Sequence, residues 1–343
     1  MSAREERQLT FDWGPPANAS PAERPFPVAA ALAERLRRLA ERKIYLGTSS
    51  WKYPGWQGQI YDPARYQIRG QFSERKFNQE CLAEYAAVFP AVCGDFAFYQ
   101  FPTEQSWKEL FAQAPPEFRF SLKVPEEVTV ERFPRLPRYG KRAGTVNAHF
   151  MDPALVRDQL LSRLDPYRDR LGVLIFEFGT FHGGPMRAPG KFAEALARLL
   201  AGLPLDRYRF AVEVRNREFL ESPGRERYFA CLRDHGAAHC LNSWTQMPPL
   251  IDQVQIPGVF TAPHVVARLL LRPGRAYQQA VESFAPYDRI QDPYPEGRDA
   301  LRDLIEACVA ESRMLLAFVN NRFEGNAPQT IQLATDGWTC PAL

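Results

Sequence analysis

An acid and a base two residues apart, at the end of an apolar run, are the first sign of chemistry in this chain. In YRFAVEVRNREFL (208–220) the strand-like Phe210-Ala211-Val212 runs into Glu213 and Arg215. Side chains two apart on a strand point the same way, so this pair shares one face. Other apolar runs end or break in the same manner, at Lys123, Glu177, Asn242, Arg272 and the pair Asn320-Asn321. Acids, bases and amides gathered at one partly dry place suit a small anionic ligand, phosphorylated or sugar-like. Lys123, Arg215 and Arg272 would hold the anion. Glu213 would act as general acid or base in hydrolytic or lyase chemistry, while Asn242, Asn320 and Asn321 orient polar groups. Glu177 and Glu213, ending consecutive runs, also fit the paired carboxylates of glycoside hydrolysis. Lys123 has a second reading: beside Arg215 its charge would be disfavoured, and the free amine could form a Schiff base. The anion clamp is the stronger account, because two guanidiniums beside a lysine exceed what one or two carboxylates need.

Aromatic residues gather near the same runs. GTSSWKYPGWQGQIYDP places Trp51, Tyr53 and Trp56 just past the first run, and FAFYQFP adds Tyr99. Trp51, Tyr53 and Tyr99 could form a wall for a sugar ring or base, or a hydrophobic lid. Metal chemistry has little support. The five histidines show no H-x-x-x-H spacing, and His182 in GTFHGG is the only one near a run's end. No metal or cofactor is expected. A second partner class is nucleic acid. ERFPRLPRYGKRAG (131–144) carries Arg132, Arg135, Arg138, Lys141 and Arg142, with Phe133 and Tyr139 interleaved. Base plus ring is the footprint of phosphate and nucleobase contacts, although such a run is also a solvated loop.

The elements that must position these residues follow a rhythm. Eight short apolar runs fall at 44–50, 95–101, 118–124, 171–178, 208–215, 237–242, 265–272 and 314–321. Helical patterns lie between most of them, at 77–89, 104–114, 153–164, 190–203, 225–236 and 297–312. Such alternation predicts parallel strands joined by right-handed crossovers. Eight strands in one chain predict an α/β fold, a closed (β/α)8 TIM-like barrel whose sites gather at the strands' C-terminal ends. The first turn lacks the G-x-G-x-x-G of a dinucleotide-binding sheet. An ionised side chain is tolerated only on the inward face at that mouth, because helices dry the outer face. The expected divisions are a Pro-rich disordered N-terminus (1–27), a helix (28–43), the barrel (44–335) and a C-terminal tail (336–343). Residues 125–152 and 243–264 read as long loops, of a length that is uncommon unless functional or disordered.

Composition narrows the class further. The chain has 343 residues and a formal charge of +3, too small to announce a polyanion partner. Cys81, Cys93, Cys231, Cys240, Cys308 and Cys340 are scattered without a C-x-x-C pair and predict buried, reduced thiols. The opening residues lack the apolar core of a signal peptide, and no run approaches the roughly 18 apolar residues of a membrane span. A cytoplasmic protein without a membrane partner is expected.

Five pieces together, GTSSWKYPGW, FYQFP, FSLKVPEEVT, AVEVRN and VNNRFEGNAP, resemble the YecE-like family, domain of unknown function seventy-two. The resemblance covers about residues 44–330 and implies a TIM-like barrel. It places the family's recurrent polar positions on Trp51, Tyr99, Lys123, Glu213, Arg215 and Asn321. The chain departs from the family in three places. Val92-Cys93-Gly94-Asp95 stands where relatives commonly read Val-Glu-x-Asn, so a customary carboxylate is absent or moved. Glu177 replaces a usual Gln, so the Glu177/Glu213 pair is no family trait and the glycosidase reading weakens. ARLLLRPG replaces Arg-x-His-Gly, which leaves that role open between Arg268 and Arg272. The expected protein is an anion-binding barrel. The alternatives are a nucleic-acid binder or nuclease using 131–144, and a non-catalytic scaffold whose mouth is sealed by its own ion pairs.

Overall fold

Strict alternation along short apolar runs makes strands with one face turned to a barrel axis and the other to covering helices. The computed structural model describes residues 26–338, so most of the expected N- and C-terminal tails lies outside the described residues. Eight strands close into a parallel barrel: β1 (Ile44–Thr48), β2 (Ala91–Gly94), β3 (Arg119–Lys123), β4 (Leu171–Glu177), β5 (Phe210–Glu213), β6 (Ala238–Ser243), β7 (His264–Leu269) and β8 (Met314–Val319). Their spatial order follows the chain, with β1 pairing both β8 and β2.

Two packed layers result. Outward residues such as Leu174, Phe176, Val212, Leu241 and Val265 join the large core beneath the helices. Inside the barrel a separate apolar cluster contains Cys93, Val173, Ile175, Ala211, Cys240, Val266 and Phe318. Two residues further along the same inward faces come Glu177, Glu213, Asn242 and Arg268. The polar set therefore sits above a dry plug at the C-terminal end, because the strand period carries it there.

The β1–β2 seam closes the cylinder with two residue pairs, Gly47↔Ala91 and Thr48↔Val92. Tyr85, on the helix Glu74–Val88, braces it from outside. Its hydroxyl accepts from the Thr48 amide at 2.9 Å and donates to the Ala91 carbonyl at 3.0 Å. An amphipathic helix, Ala30–Glu41, buries Leu32, Leu36 and Leu39 and leads into β1.

Three differences from the sequence reading stand out. The run 95–101 is not a strand. β2 is the preceding Ala91–Gly94, and the aromatic residues of DFAFYQF form the loop after it. Helices also occur where no period was legible, at Leu250–Val254, Tyr277–Phe284 and Ala327–Thr335. The pattern at 153–164 is helical but holds a π-helical stretch, Val156–Leu161. Cys81, Cys93, Cys231, Cys240 and Cys308 are free and buried. Among the described residues, no helix is long and apolar enough to cross a membrane.

Candidate functional site

Glu213 and Arg215 share a face because that face is the upper end of the barrel interior, and they share it with more charge than the spacing revealed. Arg215 donates from Nε to Glu213 Oε1 at 3.1 Å, and its Nη2 lies 3.0 Å from both Glu213 Oε1 and Glu177 Oε1. Arg268 reaches across from β7, its Nη1 lying 2.5 Å from both Glu177 Oε2 and Glu213 Oε2. Lys123 Nζ stands 3.4 Å from Glu177 and 3.3 Å from Asp95. Two carboxylates are thus clamped by three cations, and a third carboxylate approaches from the rim.

Burial divides the roles. Glu213 is 0 % exposed, Arg268 3 % and Lys123 4 %. The Asp95 side chain is 38 % exposed, and its contact with Lys123 lacks hydrogen-bond alignment. Arg215 is half-buried and lies on the Trp244 ring, 3.9 Å from its centroid. Burial raises the pKa of the Glu177 carboxyl, but Arg215, Lys123 and Arg268 outweigh it and hold the group well below the usual carboxylate range. Burial likewise disfavours the Lys123 ammonium, yet Asp95 and Glu177 reverse this and raise its pKa above the ordinary lysine value. The expected depression of the Lys123 charge, and with it the Schiff-base reading, is therefore corrected. A lysine between two carboxylates keeps its proton.

Several expected site residues lie elsewhere or do other work. Arg272 contacts Asp292 at 3.3 Å and stacks on Tyr294, whereas Arg268 joins the cluster, which resolves the choice left open between them. Trp51 is no wall. It is 2 % exposed, packs edge-on against Phe96, and its carbonyl accepts from Tyr61. Tyr53 and Tyr99 do reach the mouth, half-buried, and burial pushes the Tyr99 hydroxyl up to about 12. Asn242 donates to the Val214 and Cys240 carbonyls. Asn320 accepts from the Arg322 amide, and Asn321 accepts from Ala327 N at the start of the last helix. Each of these amides supports a loop, yet Asn242 Oδ1 and Asn321 Nδ2 are buried without a hydrogen-bond partner. His182 is exposed, and among the described residues no group of three ligating side chains could hold a metal.

The basic loop turns both of its rings inward and keeps its charge at the surface. Phe133 and Tyr139 are buried, so neither offers a face to a nucleobase. Arg138 binds Glu126 and Tyr139, Arg142 pairs with Glu127 at 2.6 Å, and Arg132 donates to the Gly144 carbonyl. All five basic residues are exposed, Arg135 and Lys141 among them.

Asp95, Trp244 and Arg322 are not among the expected site residues, and Arg268 stands there only as an alternative to Arg272. The phase of Val266 and Arg268 on β7 is the signal that could have chosen between those two. Arg322 follows β8 and lies on the Tyr277 ring, 4.6 Å from its centroid, with Tyr53, Tyr287 and Asp95 nearby.

Below the cluster, His239 and His264 are buried, their rings bonded to the Tyr228 hydroxyl and the Phe210 carbonyl, each at 3.1 Å. Burial pushes His239 down to about 3 and His264 down to about 4. The unfolded chain would take up protons near pH 6.5 that the fold refuses. Stability is therefore complete above that pH and falls towards pH 4, by about 1.4 kcal/mol per pH unit for each histidine. Urea midpoints measured between pH 7 and 4.5 should show this decline, and His239→Phe should halve it. A flat profile would mean that water reaches both rings.

A family model described as a protein of unknown function, DUF72, matches residues 45–337. No curated protein matches the chain in sequence. A DUF72 family protein of Enterococcus faecalis superposes with a TM-score of 0.57 at 14% identity, over 87% of this chain and 97% of its own. One from Thermotoga maritima gives 0.54 at 20% identity, over 84% and 96%. These likenesses bear on the fold alone.

Proposed function

The chain belongs to the DUF72 family of proteins of unknown function, and from that footing we propose that its barrel mouth binds a small anionic ligand. The observation that carries this reading is Lys123 held between a buried carboxylate and an exchangeable one. Glu177 and Glu213 are committed to Arg215 and Arg268 and cannot leave. Asp95 can, since its side chain is solvent-reachable and its contact poorly aligned. An arriving anion would displace Asp95 from Lys123 and meet Arg215, whose side chain is 14 % exposed, beside it.

The buried pair then serves as support. Glu213 fixes the fork of Arg215 and the reach of Arg268, so it positions the anion-binding groups and touches no ligand. Any proton transfer to or from a bound ligand would use Asp95, the rim carboxylate next to an ammonium.

Displacement predicts an unusual sign. Asp95→Asn should bind inorganic phosphate or succinate about tenfold more tightly than the parent, since a like charge near the incoming anion is removed. Calorimetric titration of both proteins measures this. Unchanged or weaker affinity would discard the displacement, and a parent that binds neither anion would leave the sealed scaffold as the better description.

A further inference from the structure

A guanidinium in the barrel mouth that forms no salt bridge, although Asp95 lies nearby, needs a reason. Arg322 is half-buried and, among the described residues, forms no salt bridge and no side-chain hydrogen bond. Arg215 and Arg268 are paired with two glutamates, and Arg272 and Arg275, outside the cluster, with Asp292. Removing a cation from water without an opposite charge is unfavourable. Stacking on Tyr277 recovers only part of that.

The surroundings point to what completes it. Tyr277 opens the helix Tyr277–Phe284 in the loop after β7, and Arg322 lies in the loop after β8. In this architecture the loops after the seventh and eighth strands, with a short extra helix, frequently hold phosphate. Tyr53 and Tyr287 meet edge to face at 5.5 Å, near enough to act electrostatically on the guanidinium. Tyr277 continues the wall to Trp244, 6.2 Å away, and Trp244 carries Arg215 on its ring. Arg322 and Arg215 therefore stand on one continuous aromatic surface, two rings apart.

We propose that Arg322 is the receptor for a phosphate group, so that the mouth takes a phosphate monoester whose remainder extends along the Tyr277–Trp244 wall towards Arg215. This rests on the anion reading above and names its ligand class and principal contact. A planar fork with five donors matches the oxygens of a phosphate better than a point charge does. Phenol hydroxyls at the rim can add further hydrogen bonds to the same oxygens.

The test is calorimetric titration with methyl phosphate and with succinate, on the parent, Arg322→Gln and Arg322→Lys. The parent should bind methyl phosphate, and Arg322→Gln should lose at least about tenfold in affinity, as expected for charge-assisted hydrogen bonds. Without ligand, Arg322→Gln should melt no lower than the parent, because it removes an unpaired cation. A purely structural arginine would give the opposite result. Should Arg322→Gln fold poorly, Arg322→Lys decides: it keeps the charge without the fork, and must weaken methyl phosphate at unchanged melting temperature. Full phosphate affinity in either variant overturns the assignment to Arg322 and leaves the anion reading intact. A parent that binds succinate but ignores methyl phosphate overturns the phosphate class alone. A parent that binds neither overturns both.

Discussion

Replacing Glu213 by glutamine should destabilise the protein by about 3–5 kcal/mol, the usual cost of breaking a buried ion pair from one side. Glu213 is wholly buried and receives Arg215 and Arg268. With its charge gone, Glu177 alone must balance Arg268 and Arg215, and it shares Lys123 with Asp95. Arg268 Nε already lacks a hydrogen-bond partner, so the guanidinium has no spare contact to fall back on. Urea denaturation of the variant measures the loss. A double replacement, Glu213→Leu with Arg268→Met, should recover most of it, because two apolar groups need no partner there. A single variant within about 1 kcal/mol of the parent would mean that water enters and screens the cluster.

The second large effect concerns the seam. Gly47→Ala should cost at least about 3 kcal/mol, beyond the ordinary range for overpacking. A Cβ on Gly47 would stand 2.0 Å from the Ala91 carbonyl oxygen, which is backbone and cannot rotate away. That oxygen also accepts from Tyr85, so moving it breaks the brace between β1 and β2. Parallel strands can approach this closely only where the side chain is missing. Thermal melting followed by circular dichroism would show it, with Gly179→Ala as the control, since nothing lies within 4 Å of a Cβ there. A Gly47→Ala protein as stable as that control would contradict the geometry of closure.

The barrel was legible because most of its strands are apolar runs separated by helical periods, and both periods follow from backbone geometry. β2 was not, since AVCG is four small residues while the adjacent DFAFYQF is richer in aromatic strand formers. There the tertiary fold overrode local propensity. Glu177, Glu213 and Lys123 could be placed by alternation at strand ends. Arg268 was hidden inside VVARLLLR, where only its phase with Val266 marks it as inward. Trp51 shows the converse limit: an aromatic residue after a strand reads the same whether it lines the mouth or seals it. Arg322 was beyond reach, because its aromatic partners come from positions 53, 277 and 287, and no local pattern joins them.

One arrangement has an optical consequence. Trp51, Trp56 and Trp107 are sealed in the core, whereas the half-buried Trp244 has a guanidinium on its face and a phenol ring beside it. Its indole emission is therefore sensitive to any rearrangement of Arg215 or Tyr277, while the core indoles supply a constant background. The molecule carries its own fluorophore at the place where a guest would arrive.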